Sequence, residues 1–406
     1  MPSTEKSDAR TQRFCSHLFA SATPEFRLVA ACCRWPLEAG PQQRHTLAAH
    51  KDLHWDHVFA LASRHRVVGL VAAALAPVAT VPEAIQQTLK RRAVKIQQQN
   101  MAHLGIPLRI GRALETANIP FLVLKGAPLS QLAFGSTGVR HMRDLDLLVD
   151  PAFLDRTEDV LESLGLQSKS EERSLTPDQA RLWRRFRKHH EFLHEATGVQ
   201  VELHWRAFDN PLLHPPLSNT IQEIEVAPGH RLPTLSTEEL FLALCVHGAG
   251  HAWFRMKWIA DIAALLHTLT PVQWDSILRL AHERDLDRTI EQATLLCAAL
   301  FGADSVPALP SSTRVGRWLA TIASRALLTE ETANKSPDAA FVPPGQTASR
   351  FLLRRSWRYR LEEVRIATAS PVDWRTLPLP AALQFAYPLL RGPLWMRRRW
   401  LARSSR

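Results

Sequence analysis

The 406-residue chain is poor in cysteine: it has five, Cys15, Cys32, Cys33, Cys245 and Cys297, and no two form a C-x-x-C pair. That spacing argues against a structural zinc site, which gathers its ligands in close pairs. An odd count without regular spacing, and no signal peptide, predicts reduced thiols and a cytoplasmic location. Long apolar runs are also missing. The longest, Val67 to Ala79, is broken by Pro77. A bilayer span takes about 20 apolar residues, so no transmembrane segment is expected. There is no G-x-x-x-x-G-K-[ST] loop and no G-x-G-x-x-G after a strand, which leaves P-loop and dinucleotide chemistry unsupported. His247 and His251 stand four apart, but Gly-Ala-Gly lies between them. Without the glutamate of H-E-x-x-H a zinc protease is not indicated. No internal repeat is visible.

What is present is ordinary globular composition, 46% hydrophobic and 22% charged. A chain of this length predicts two or three domains. Lys and Arg outnumber Asp and Glu by 50 to 39, a formal charge of +11. That balance favours an anionic partner: nucleotide phosphates, nucleic acid or an anionic surface.

Residues 1–24 are polar and aperiodic and read as a loose tail. Residues 25–118 repeat apolar side chains at three and four, the helical period, with Pro77, Pro82 and Pro107 as punctuation. Residues 119–206 form the mixed core. Residues 207–235 carry five prolines and read as a connecting loop. Residues 236–330 are helical again, and 331–348 read as another loop. Residues 349–406 carry many Arg and four of the twelve Trp. Such a mixture suits a packed helix with snorkelling arginines, a membrane surface or nucleic acid.

The chemistry concentrates between Ile119 and Asp150. Phe121 to Leu124 is a short apolar run ending at Lys125-Gly126, and a second run, Asp144-Leu-Asp-Leu-Leu-Val149, follows two arginines. The second run reads as a buried strand. Strand residues two apart share a face, so Asp144 and Asp146 project together. Paired carboxylates repel each other, and a divalent cation is the usual remedy. Hard oxygen ligands suit Mg²⁺, or Mn²⁺. Downstream, His190 to Trp205 reads as a hairpin, two extended runs joined around Ala196-Thr197-Gly198. On its second arm Val199, Val201, Leu203 and Trp205 share one face, and Gln200, Glu202 and His204 the other.

The order strand, glycine, helix, Asp-x-Asp strand resembles the core of the nucleotidyltransferase superfamily, the DNA polymerase β-like fold. The wording L-K-G, then R-x-x-R-D-L-D-L-L-V, resembles a bacterial group known simply as nucleotidyltransferase family proteins. H-x-x-x-H-x-W from His247 and K-W-x-x-D-I from Lys257 carry the same likeness, which runs from about Trp55 onward; the Asp-x-Asp unit alone is chemically specific. The resemblance implies an α/β (α+β) fold: a small mixed sheet with helices, flanked by N-terminal and C-terminal helical regions. It implies a metal-dependent transfer of a nucleoside monophosphate from an NTP, ATP foremost, to a hydroxyl of an unknown small molecule, peptide or protein, releasing pyrophosphate. Asp144, Asp146 and Glu202 would be the catalytic metal ligands. Lys125, Gly126, Arg140 and Arg143 would meet the nucleotide. His204, His247, Lys257 and Asp261 would line the acceptor side. The superfamily's Gly-Ser here reads Lys125-Gly126-Ala127. Phosphate binding would therefore rest on backbone N–H groups, Lys125 and the arginines. Two other readings stay open: an inactive, antitoxin-like binding module that keeps only the fold, and an RNA-directed nucleotidyltransferase. A nucleic-acid partner is possible on charge but not favoured.

Overall fold

The computed structural model describes residues 9–170, 175–213, 221–307, 312–329 and 345–404. Six helices come first: α1 Ala9–Leu18, α2 Pro24–Cys32, α3 Pro41–Ala48, α4 Trp55–Arg64, α5 Val68–Leu75 and the long α6 Glu83–Thr116. The mixed core follows: β1 Phe121–Val123, α7 Ala127–Phe134, β2 Asp144–Val149, α8 Leu154–Ser163, β3 Leu166–Ser168, α9 Pro177–Phe186, β4 His189–His194 and β5 Val199–His204. Then come β6 Ile221–Ala227 and β7 His230–Leu235. Helices α10 Thr237–Gly250, α11 Met256–Thr268, α12 Pro271–Glu283, α13 Asp287–Phe301 and α14 Arg314–Leu328 form the second helical run. The chain closes with α15 Gln346–Leu352, α16 Trp357–Thr368, α17 Pro371–Thr376 and α18 Tyr387–Ser404.

The five-stranded sheet has the order β1-β2-β5-β4-β3. β2 and β5 are parallel, and the other neighbours are antiparallel. The expected fold class, a small mixed sheet with helical flanks, is what the chain adopts. Val199, Val201 and Leu203 are fully buried against α6 and α8 through Ile110, Leu114 and Leu161. The alternate positions of β5, including Glu202, are left on the other face.

Three expectations change. Residues 9–18 are not part of a loose tail: they form α1, whose Thr11 and Cys15 are buried. Phe14 and Leu18 pack on the same core, and the polar remainder of α1 hid the period. Residues 207–235 are not only a loop. They include the hairpin β6–β7, paired from Ile221↔Leu235 to Ala227↔His230. Thr234 Oγ1 donates to the Val123 carbonyl at 2.6 Å, so this hairpin covers the edge strand β1, a standard protection of an unpaired sheet edge. The loop expected at 331–348 lies outside the described residues up to 344, and α15 already starts at Gln346.

The two helical flanks are one body. Buried residues of α2, α4 and α5 and of α10, α11 and α13 belong to a single apolar core, and Leu129, Ala133 and Phe134 of α7 insert into it. All five cysteines are buried thiols. In the C-terminal segment Trp374 and Tyr387 pack on Leu182 of α9, while Trp357 and Trp400 are exposed. No helix among the described residues is long and apolar enough to cross a membrane.

Candidate functional site

The sheet's register builds the site. In the parallel β2–β5 pair Asp144 lies opposite Gln200 and Asp146 opposite Glu202. In the antiparallel β4–β5 pair His189 lies opposite His204, and Glu191 opposite Glu202. β1 adds Lys125: Leu124 donates its N–H to the Asp146 carbonyl at 3.0 Å, which carries the next side chain alongside the carboxylate. Lys125 Nζ is 3.3 Å from Asp146 Oδ1. His204 Nε2 sits between the acids, 3.2 Å from Asp146 Oδ1 and 3.1 Å from Glu202 Oε2.

Burial would raise the Asp146 carboxyl, but the charge of Lys125 and the hydrogen bond from His204 outweigh it and hold it well below the usual range. Glu202 is held at about 2: burial works against it, and the His204 hydrogen bond prevails. Lys125 is shifted the other way. Burial favours the neutral amine, and Asp146, Asp144 and Glu202 together keep it charged.

Lys125, Asp144, Asp146 and Glu202 line a cleft of about 380 Å³. Its other walls include Gly126, Arg140, Lys188, His189, Asp209, His247, His251, Lys257, Trp258 and Arg66. A larger hollow of about 450 Å³, lined by Cys15, Phe19, Phe26 and Leu47 among others, holds no acidic residue and offers no comparable chemistry. Gly126 has φ +72° and opens α7, and nothing lies within 4 Å of where a side chain would start. Pro128 carries no N–H, so Ala127 and Leu129 supply the backbone donors at that helix start.

The structure gathers most of the expected residues and rearranges their partnerships. Arg140 and Asp261, expected on different sides of the site, are each other's partner. The guanidinium Nε and Nη2 meet the two carboxylate oxygens at 2.7 and 2.9 Å, fully buried. Arg143 is exposed and does not line the cleft. His204, expected to face an acceptor, bridges the two acids instead. His247 and His251 lie with ring centroids 4.8 Å apart, and Trp258 packs against both. Burial and then Lys125 push His247 well down, and burial and then Lys188 push His251 to about 3, so both are neutral. Lys257 is pushed down to about 7 by burial and by Arg140.

Three contributors carry no motif in the sequence: Lys188, Arg66 and Asn100. Lys188, at the end of the basic run that starts at Arg181, lines the cleft. Arg66 lines it too, as does His189 of the hairpin. Asn100, buried on α6, clamps the loop before β2: its Nδ2 donates to the carbonyls of Thr137 and Arg140, both at 2.9 Å, and its Oδ1 accepts from Met142 N–H at 3.1 Å. A polar residue four places beyond Ile96 on the buried stripe of α6 was the available signal.

Asp144, Asp146 and Glu202 offer oxygen donors on one wall, and Asp146 and Glu202 are held ionised at neutral pH. That donor set fits Mg²⁺ or Mn²⁺. Among the described residues, His189, Glu202 and His204 are the one group whose possible ligand atoms all lie within 4.8 Å of one another.

No curated protein matches the chain. A family model described as uncharacterised nucleotidyltransferase matches residues 51–302. That range is more than half of the sequence and contains every residue lining the cleft, from Arg66 to Trp258. The chain therefore belongs to this uncharacterised nucleotidyltransferase family.

Proposed function

We propose that the cleft transfers a nucleoside monophosphate from an NTP, ATP being the expected donor, to a hydroxyl of an acceptor, with release of pyrophosphate. The observation that carries this reading is the register of β2 against β5, which sets Asp146 beside Glu202 in a cleft that also holds Lys125 and Lys188. Asp144, Asp146 and Glu202 would hold Mg²⁺ or Mn²⁺, which neutralises phosphate charge and aligns the reacting oxygens when bound. Lys125 and the N–H groups after Gly126 grip the phosphates, and Lys188 adds a second cation. The acceptor oxygen attacks the α-phosphorus, the bond from that phosphorus to the bridging oxygen breaks, and pyrophosphate leaves. Glu202 accepts the proton from the acceptor hydroxyl and passes it to water. The neutral His247 and His251, with Trp258, form an uncharged wall for the acceptor side.

Calorimetry of ATP with the full chain tests this. Binding is expected with Mg²⁺ and absent with a chelator. Asp146→Asn should keep the circular dichroism of the wild type and lose both metal-dependent binding and pyrophosphate release. The Lys125–Asp146 ion pair favours a second reading, a nucleotide-binding module without turnover, because the acid is neutralised without any metal. That module predicts equal ATP affinity with and without chelator, an outcome that would end the first reading.

A further inference from the structure

We propose that His189, Glu202 and His204 form a binding site for a borderline transition dication of the Co²⁺ or Zn²⁺ class. Its donors include imidazole nitrogen, which sets it apart from the oxygen-only pair of Asp144 and Asp146. The inference rests on the reading of Glu202 as part of a metal-binding wall, and it names the ion class that this part of the wall prefers.

Two ring nitrogens bracket one carboxylate oxygen. Glu202 Oε2 is 3.1 Å from His204 Nε2 and 3.9 Å from His189 Nδ1. Bonds of about 2.0–2.2 Å to a dication put neighbouring ligand atoms roughly 3.0–3.5 Å apart. The group therefore needs only a small side-chain rotation to close on an ion. His189 Nδ1, which faces Glu202, is buried and has no hydrogen-bond partner. Buried polar atoms are normally satisfied, so an orphan nitrogen facing a carboxylate at this spacing points to a missing ligand. A ligating imidazole usually turns its other nitrogen toward a carboxylate. His189 does so: its Nε2 is 3.7 Å from Glu191 Oε1. The pairing of His189 with His204 across β4 and β5 sets the two residues opposite each other, and the rings lie 5.0 Å apart. His204 Nε2 faces both Glu202 and Asp146. Mixed nitrogen and oxygen donors favour Co²⁺ and Zn²⁺ over Mg²⁺.

The test is a titration of the chelator-stripped full chain with Co²⁺, without nucleotide, followed by calorimetry and visible absorption. The expected result is saturable binding with the spectrum of nitrogen coordination. His189→Ala and His189→Gln should each weaken it about tenfold or more, the scale of a lost metal-site partner, with unchanged circular dichroism. Asp144→Asn should leave the spectrum in place. Wild-type Co²⁺ affinity in both His189 variants would overturn the site. Should those variants not fold, the wild type decides. Pulsed electron resonance of bound Co²⁺ either shows coupling to imidazole nitrogen or, by lacking it, overturns the proposal. Mg²⁺-dependent ATP binding is measured in parallel. ATP binding without a histidine-linked Co²⁺ site removes this inference and keeps the nucleotide reading. A histidine-linked Co²⁺ site without ATP binding does the reverse.

Discussion

Lys125 stands where its charge opposes a cation and attracts a triphosphate. Its Nζ is 3.3 Å from Asp146, so a metal and the ammonium compete for one carboxylate. Lys125→Met should therefore have opposite effects on two ligands. Mn²⁺ alone should bind more tightly, and Mg²⁺·ATP should bind about tenfold more weakly, the scale of one charge-assisted hydrogen bond. Calorimetry of both ligands on one variant checks the signs, and parallel weakening of both would contradict the arrangement. Lys257 offers a second test, of stability. Its amine is held at about 7 in the folded chain, first by burial, against about 10.4 when unfolded. Between these values the unfolded chain binds more protons, so this residue makes stability rise with pH. Below the lower value the ammonium is charged in both states, and the folded chain bears the full cost of burying it. Replacing Lys257 by Met should raise the melting temperature most near pH 6 and progressively less toward pH 10. A gain that is flat with pH would show that the amine is not desolvated.

Elements place these side chains, and Asn100 shows how. One buried amide on α6 makes four hydrogen bonds to the backbone of residues 137–142, the loop that delivers the chain to Asp144. Asn100→Ala should cost about 2–3 kcal/mol in urea unfolding, since buried backbone groups lose their partners. Hydrogen exchange should speed up in residues 137–142 before it does so in β5. Uniform exchange across both would mean that the amide is not a clamp. Part of this arrangement is legible in the sequence. The alternation of Val199, Val201 and Leu203 with Glu202 gives β5 and its buried face directly, and the branched run after Asp144 gives β2. The register between them is not legible, and the register is what puts His204 between two acids. The pairing of Arg140 with Asp261 spans 121 positions, and no local period carries such a contact. β6 escaped for a different reason. Ile221, Ile224 and Val226 do not alternate strictly, and a bulge between Glu225 and Ala227 shifts the pleat. Pro233 inside β7 further masked the strand, because proline usually marks a strand edge or its absence.

At the scale of the whole molecule, the helices before and after the sheet share one core, although the sequence places them on opposite sides of it. The sheet is thus threaded between two parts of a single folding body. Cys32 and Cys33 come from the end of α2, and Cys245 and Cys297 from α10 and α13, and all four are buried in that core. Burial raises the Cys32 thiol to about 12 and moves the other three further from the reactive thiolate as well. The native chain should for this reason ignore a thiol reagent at neutral pH, and labelling should wait for the helices to separate. Mass spectrometry of peptides during slow labelling in mild urea would read the kinetics of that event at both ends of the chain. One shared rate for Cys32–Cys33 and for Cys245 and Cys297 is expected, because neither half has a core of its own to retreat to. Two well-separated rates would mean that the halves open independently. The cysteines, few and without a chemical task, are in effect a built-in clock for the cohesion of the helical body.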